Sequence, residues 1–281
     1  MEVTKLKLGV EVHGLKLKDE ESFTDEFIEE IKKLVHEERI VIFKDQGEIS
    51  GQKQEQISKW FGDLDGTVFK GDPLFAHKKC PHPSVHRISN DPEEGCTNAG
   101  RSGWHIDGVF VEAPYSYAIY HMLSVPKKGA TEFVGFKELL DSIPNDKREK
   151  WDRLWMVNDK GDKLVQPLVY LHPVTRLPVM CIHLGMTEAF IWDKGTPNER
   201  RTDEEETKEL IEEITNEIEK NGKELVYSHE WKEGEFIITD NLAVGHFASA
   251  DSQRPRSEVG LRVLHRTTIK GTSKPSKTEK I

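Results

Sequence analysis

Arg101-Ser-Gly-Trp-His-Ile-Asp-Gly108 is the stretch on which the reading of this chain turns. On extended backbone, residues i and i+2 project to the same side. His105 and Asp107 can therefore reach one ion, while Ile106 points the other way into apolar packing. Gly108 follows, where the chain turns freely. Much later comes Asp240-Asn-Leu-Ala-Val-Gly-His246, just after the strand pattern of Phe236, Ile237 and Ile238. Two imidazoles and one carboxylate cap one face of an octahedral metal and leave three positions open. A His-x-Asp tripeptide alone reads more readily as a packed histidine beside a surface aspartate, so the context has to carry the assignment.

Part of that context is Val259-Gly-Leu-Arg-Val-Leu-His-Arg-Thr-Thr-Ile269, a strand pattern in which Arg262, Leu264 and Arg266 share one face. Two arginines beside a leucine mark either a solvated basic edge or a pocket that grips a carboxylate through bidentate contacts.

Taken in order, these pieces resemble the TauD/TfdA group of Fe(II)- and 2-oxoglutarate-dependent dioxygenases. Phe43-Lys-Asp-Gln46 and Trp60-Phe-Gly-Asp-Leu64 resemble the elements that follow the first two helices of that group. Trp104-His-Ile-Asp107 matches its proximal ligand motif, and Gly129-Ala-Thr131 its Gly-x-Thr segment. His172-Pro-Val-Thr175 and Leu184-Gly-Met-Thr187 resemble two further stretches. Thr239-Asp-Asn241 with His246 matches the distal ligand region, and Arg262-Val-Leu-His-Arg266 the terminal arginine motif. The resemblance runs from roughly Lys5 to Gly271.

It implies a β-rich α+β fold with a double-stranded β-helix (jelly roll) core and flanking helices. It also implies iron held by His105, Asp107 and His246, and 2-oxoglutarate held at its far carboxylate by Arg262 and Thr131. The implied reaction uses O2, releases succinate and CO2, and oxidises an aliphatic C–H of a small polar molecule. Halogenating relatives carry a small residue where this chain has Asp107, so hydroxylation is expected over chlorination, with desaturation or ring closure left open. In taurine-oxidising relatives the residue matching Arg266 grips the substrate sulfonate; here it equally suits support of Arg262 or an ion pair with a nearby acid. Asp65 stands where those relatives carry a sulfonate-binding histidine, which points away from taurine and toward a substrate bearing an amine or a carboxylate. Asn98, Arg101, Ser102 and Met186 are further candidates for touching substrate. A non-catalytic metal- or ligand-binding jelly roll and a zinc hydrolase using the same His-Asp-His set are the alternatives. Neither makes use of all of Thr131, Arg262 and the triad.

Length and composition agree with this frame. A chain of 281 residues can form a single domain over 1–281, with a polar tail from about 271. The net charge of −10 argues against a nucleic-acid partner. No run reaches the roughly 18 apolar residues of a spanning helix, and the N-terminus lacks the apolar core of a signal peptide. Three scattered cysteines, Cys80, Cys96 and Cys181, read as reduced thiols of a cytoplasmic protein. Homo-oligomers are common in the group and give only a prior here.

Periodicity predicts an edge strand across Lys5–Val12, a helix over Asp25–His36, a strand at Ile40–Phe43 and a helix over Lys53–Phe61. Strands are expected at Tyr115–Tyr120 and Met122–Val125, and helices at Phe136–Ser142 and Lys147–Trp155. A long helix is expected over Asp203–Lys220, with Thr202 as its N-cap and Leu210, Ile211, Ile214 and Ile218 as its apolar stripe.

Overall fold

Alternation in the strand Ile40–Phe43 shows how the fold is layered. The side chains of Ile40 and Ile42 enter one apolar cluster, and those of Val41 and Phe43 enter another on the opposite face. A period of two with both faces apolar requires a cover on each side. The computed structural model describes residues 2–19, 23–64, 77–97, 103–160 and 163–277, and it supplies both covers.

The strand lies in a seven-stranded sheet of order Glu2–Lys5, Val10–His13, Ile40–Phe43, Phe236–Asp240, Tyr117–Ser124, Val263–Ile269, His86–Ser89. Neighbours are antiparallel except Val10–His13 with Ile40–Phe43, which run parallel. On one face Val41, Phe43, Ile119 and Ile238 pack against Ile31 and Val35 of the helix Asp25–Glu38 and Ile57 of the helix Gly51–Ser58. On the other face Ile40, Ile42, Tyr120, Met122, Ile237 and Leu264 meet Phe133 and Val244 of a three-stranded sheet. That sheet has the order Val226–Glu230, Ala130–Gly135, Val244–Ala248. These two facing sheets form the expected β-rich jelly-roll core. Outside the smaller sheet, a third cluster gathers Val134, Val226, Phe136, Trp151 and the stripe Leu210, Ile214 and Ile218 of the helix Glu204–Lys223.

Several local expectations shift. The N-terminal segment is a hairpin, Glu2–Lys5 with Val10–His13, and only its first strand lies at the edge. It turns at Gly9, whose φ is +89° and where a Cβ would lie 2.5 Å from the Ile40 carbonyl oxygen. The second helix starts earlier than expected, at Gly51 with Ser50 as its cap, and passes into a tighter turn at Lys59–Phe61. Tyr117–Ser124 is one continuous strand rather than two. The helix expected over Lys147–Trp155 runs Asn145–Asp152, because Leu154–Asn158 pairs with Thr187–Trp192 in a separate sheet. The last strand begins at Val263, preceded by a short helical turn, Arg256–Val259, and Gly260 at φ +88°.

The cap of the long helix is Asp203, whose side chain accepts from Glu206 N at 2.9 Å. Thr202 is drawn into the neighbouring strand instead, where its hydroxyl accepts from Phe190 N at 2.9 Å. Loss of this exposed cap is expected to cost about 1 kcal/mol. Urea denaturation of Asp203→Ala should show the midpoint falling with an unchanged slope.

Candidate active site

The metal-ligand candidates meet through backbone before they meet through side chains. His105 N donates to His246 O at 3.1 Å, and His246 N donates to His105 O at 2.8 Å. Residues that exchange both bonds in this way sit directly opposite each other, with their side chains on the same side. Ile106 N bonds to Ile182 O, and its side chain is fully buried, as the i, i+2 reading of the motif requires. The turn at Gly108 has φ +85°, and a Cβ there would lie 2.7 Å from Tyr115 N.

Asn241 fastens the other end of the motif. Its side-chain oxygen accepts from Asp107 N at 2.9 Å, and its amide donates to the carbonyls of Asp107 and Tyr115. One ligand atom from each of His105, Asp107 and His246 lies within 4.8 Å of the others. His105 Nδ1 bonds to the Gly103 carbonyl at 2.7 Å, which leaves Nε2 as the nitrogen free to ligate.

Electrostatics prepares the same set. Burial holds both imidazoles below their ordinary range, His246 at about 3 with the neighbouring His105 as the next cause. They are therefore neutral and ready to coordinate at physiological pH. Burial alone would raise the Asp107 carboxyl, but Arg266, with His246 and His105, outweighs it and holds the group at about 2. Arg266 Nη1 donates to both Asp107 oxygens, at 3.0 and 3.1 Å. Of the roles open to Arg266, the ion pair with a nearby acid is the one found in the structure.

Arg262 is the contrasting case. It is 4% exposed, and no carboxylate among the described residues pairs with it. Burial is the only influence on its guanidinium, pulling it down to about 10. A buried cation without a counter-ion is costly, so this position calls for an anion. Arg262, Thr131, His246 and Arg266 all line one cavity, together with Tyr120, Ile88, Ala248 and Leu264. Thr131 Oγ1 accepts from Trp231 Nε1 at 3.0 Å, which turns the hydroxyl proton toward another acceptor. Leu264 and Arg266, on the strand Val263–Ile269, and Arg262, just ahead of it, all reach the cavity, on the common side that their spacing predicts.

The remaining candidates divide. Met186 is half-buried in a short turn, with its N–H on the His183 carbonyl, and is not among the residues lining this cavity. Asp65, Asn98, Arg101 and Ser102 lie outside the described residues. His183 stacks on His105 with ring centroids 4.6 Å apart. Asn241, Trp231 and Tyr120 support the site with no local sequence signal of their own, apart from the place of Asn241 in Thr239-Asp-Asn241. Among the described residues no helix is long and apolar enough to cross a membrane; Cys80 and Cys181 are free thiols, and Cys96 is buried.

Known proteins resemble this chain in sequence and in fold. The family model for taurine catabolism dioxygenase TauD, TfdA family, matches residues 2–268. The chain is 25% identical over 246 residues to the alpha-ketoglutarate-dependent 2,4-dichlorophenoxyacetate dioxygenase of Cupriavidus pinatubonensis, covering 78% of this chain and 82% of that protein. It is 23% identical over 239 residues to the 3-((Z)-2-isocyanoethenyl)-1H-indole synthase of Fischerella ambigua, covering 78% and 79%. A taurine dioxygenase structure from Burkholderia xenovorans has the same fold, with a TM-score of 0.76, 23% identity and coverage of 97% and 90%.

Four buried imidazoles, of His86, His183, His246 and His265, are pushed to about 3, in each case chiefly by burial. In the unfolded chain they take up protons near pH 6.5, whereas in the folded chain they resist until about pH 3. Stability is therefore full above pH 6.5 and falls as pH drops through that window. Urea denaturation of the metal-free protein at pH 7, 6, 5 and 4 should show a steady loss of stability; a flat profile would contradict the burial of these rings.

Proposed function

The chain belongs to the TauD, TfdA family of dioxygenases, and from that premise we propose that His105, Asp107 and His246 hold Fe(II) while Arg262 and Thr131 hold 2-oxoglutarate. The protein is an Fe(II)- and 2-oxoglutarate-dependent oxygenase that uses O2 to oxidise a small molecule. Bound iron supplies the oxidising chemistry that turns 2-oxoglutarate into succinate and CO2.

The observation that carries the residue assignment is the buried, counter-ion-free guanidinium of Arg262 in the same cavity as His246. A dicarboxylate chelating the metal at one end would bring its other carboxylate to this cation and to Thr131. Each unsatisfied group would then gain its partner. Asp107 suits hydroxylation of an unactivated C–H, because a carboxylate ligand occupies the position that a halide would need. Arg266 Nη1, shared between both carboxylate oxygens, helps to orient Asp107.

Arg266 is committed to Asp107 in this way, which weighs toward a role in orienting the ligand and away from gripping a substrate anion. Recognition of an amine or carboxylate on the substrate is then left to the segments that hold Asp65 and 98–102. A cytoplasmic location and free thiols belong to the same reading. A zinc hydrolase or a pure binding module would have no use for a buried dicarboxylate clamp.

Anaerobic addition of Fe(II) and 2-oxoglutarate to the wild-type protein should produce a weak visible charge-transfer band that needs both components. The band should vanish in His246→Ala. In Arg262→Ala it should demand roughly tenfold or more 2-oxoglutarate. Wild-type protein that binds metal yet shows no band would overturn the assignment.

A further inference from the structure

Tyr120 borders the same cavity from the strand Tyr117–Ser124. It stands directly opposite Arg266 in the antiparallel register, so the two side chains share the face that looks onto the smaller sheet. Its ring packs edge-on to Trp231, at 6.3 Å, and to His246, at 6.5 Å. Trp231 supports Thr131 and His246 belongs to the ligand set, so the phenol is fixed between the two ends of the proposed cosubstrate site.

The residue is 6% exposed, and among the described residues its buried hydroxyl has no hydrogen-bond partner. The Thr239 hydroxyl is the protein group in hydrogen-bonding reach of the phenol, but it spends its proton on the Ala118 carbonyl at 3.0 Å and lies outside hydrogen-bond geometry to Tyr120. Arg266 Nε, on the adjacent strand, is also buried without a partner. Buried tyrosine hydroxyls normally find a partner, and orphaned polar groups are rare. Apolar packing alone would be served as well by phenylalanine. Two orphaned donors on neighbouring strands and the guanidinium of Arg262 together make a donor set suited to an acceptor-rich ligand.

We infer that the Tyr120 hydroxyl donates a hydrogen bond to an oxygen of the bound 2-oxo acid, as a third protein group beside Thr131 and Arg262. The direction follows from chemistry, since a carboxylate or keto oxygen only accepts while a neutral phenol donates. Tyr120 is thus a cosubstrate-positioning residue, and the inference rests on the 2-oxoglutarate reading above.

Tyr120→Phe removes the hydroxyl and keeps the ring. Dissociation constants for Mn(II), and then for 2-oxoglutarate on the Mn(II)-loaded protein, would be measured by calorimetry, alongside thermal unfolding of the metal-free protein. The expected result is about tenfold weaker 2-oxoglutarate binding, with unchanged Mn(II) affinity and an unchanged or raised unfolding temperature, because the variant loses an unsatisfied polar atom. Unchanged 2-oxoglutarate affinity would overturn the inference. An equal loss of Mn(II) affinity would overturn it too, by showing that the hydroxyl acts through His246. A lowered unfolding temperature with intact binding would assign the hydroxyl to the fold. Wild-type protein that binds Mn(II) but no 2-oxoglutarate would remove the underlying reading itself, whereas normal wild-type binding with an unaffected variant would remove only the role of Tyr120.

Discussion

The pair of backbone hydrogen bonds between His105 and His246 is the constraint on which the site depends. It joins a loop that follows the strand His86–Ser89 to the strand Val244–Ala248 of the smaller sheet. A shift of one residue on either side would turn one imidazole away from the cavity, because side chains alternate with period two. Asn241 guards against such a slip. It grips Asp107 N, Asp107 O and Tyr115 O together, so the loop is held at both ends of the His-x-Asp motif. Ile106, packed between these points in the large apolar cluster, adds burial to hydrogen bonding in fixing the register.

Around this frame the charges are arranged by burial. Imidazoles stripped of water stay neutral and keep lone pairs for a metal, and Asp107 remains ionised despite burial chiefly because Arg266 faces it. Arg262 is equally buried but has no such partner among the described residues. The protein thus tolerates an uncompensated cation at the position where the proposed cosubstrate would place its anion. His246, Arg262 and Arg266 line one cavity between the two sheets, with His105 and Asp107 beside His246, and low dielectric strengthens each interaction there.

Local pattern made much of this legible. The His-x-Asp spacing, the face shared by Arg262, Leu264 and Arg266, and the apolar stripe of the helix Glu204–Lys223 are short-range periodicities, and each appears in the structure as the spacing implies. Misplaced boundaries arose where tertiary partners outweighed local preference. Trp155 follows a helical pattern but is paired with Ile191 in a sheet, and Thr202, a good cap in isolation, is taken by Phe190. Gly9 divides what reads as a single alternating strand, because the hairpin must pass within contact of Ile40.

By itself, the sequence determined the chemical inventory: which residues can bind a metal, which cations lie on one strand face, and the family to which their order belongs. Only the tertiary structure decided how that inventory is shared out. It set Arg266 on Asp107, left Arg262 without an anion, and brought Trp231 to Thr131 and Tyr120 between Trp231 and His246. The physical reason is that pairing and desolvation depend on cross-strand register and on the closing of two sheets over one another. Those relations link residues far apart in the chain, and no local periodicity encodes them.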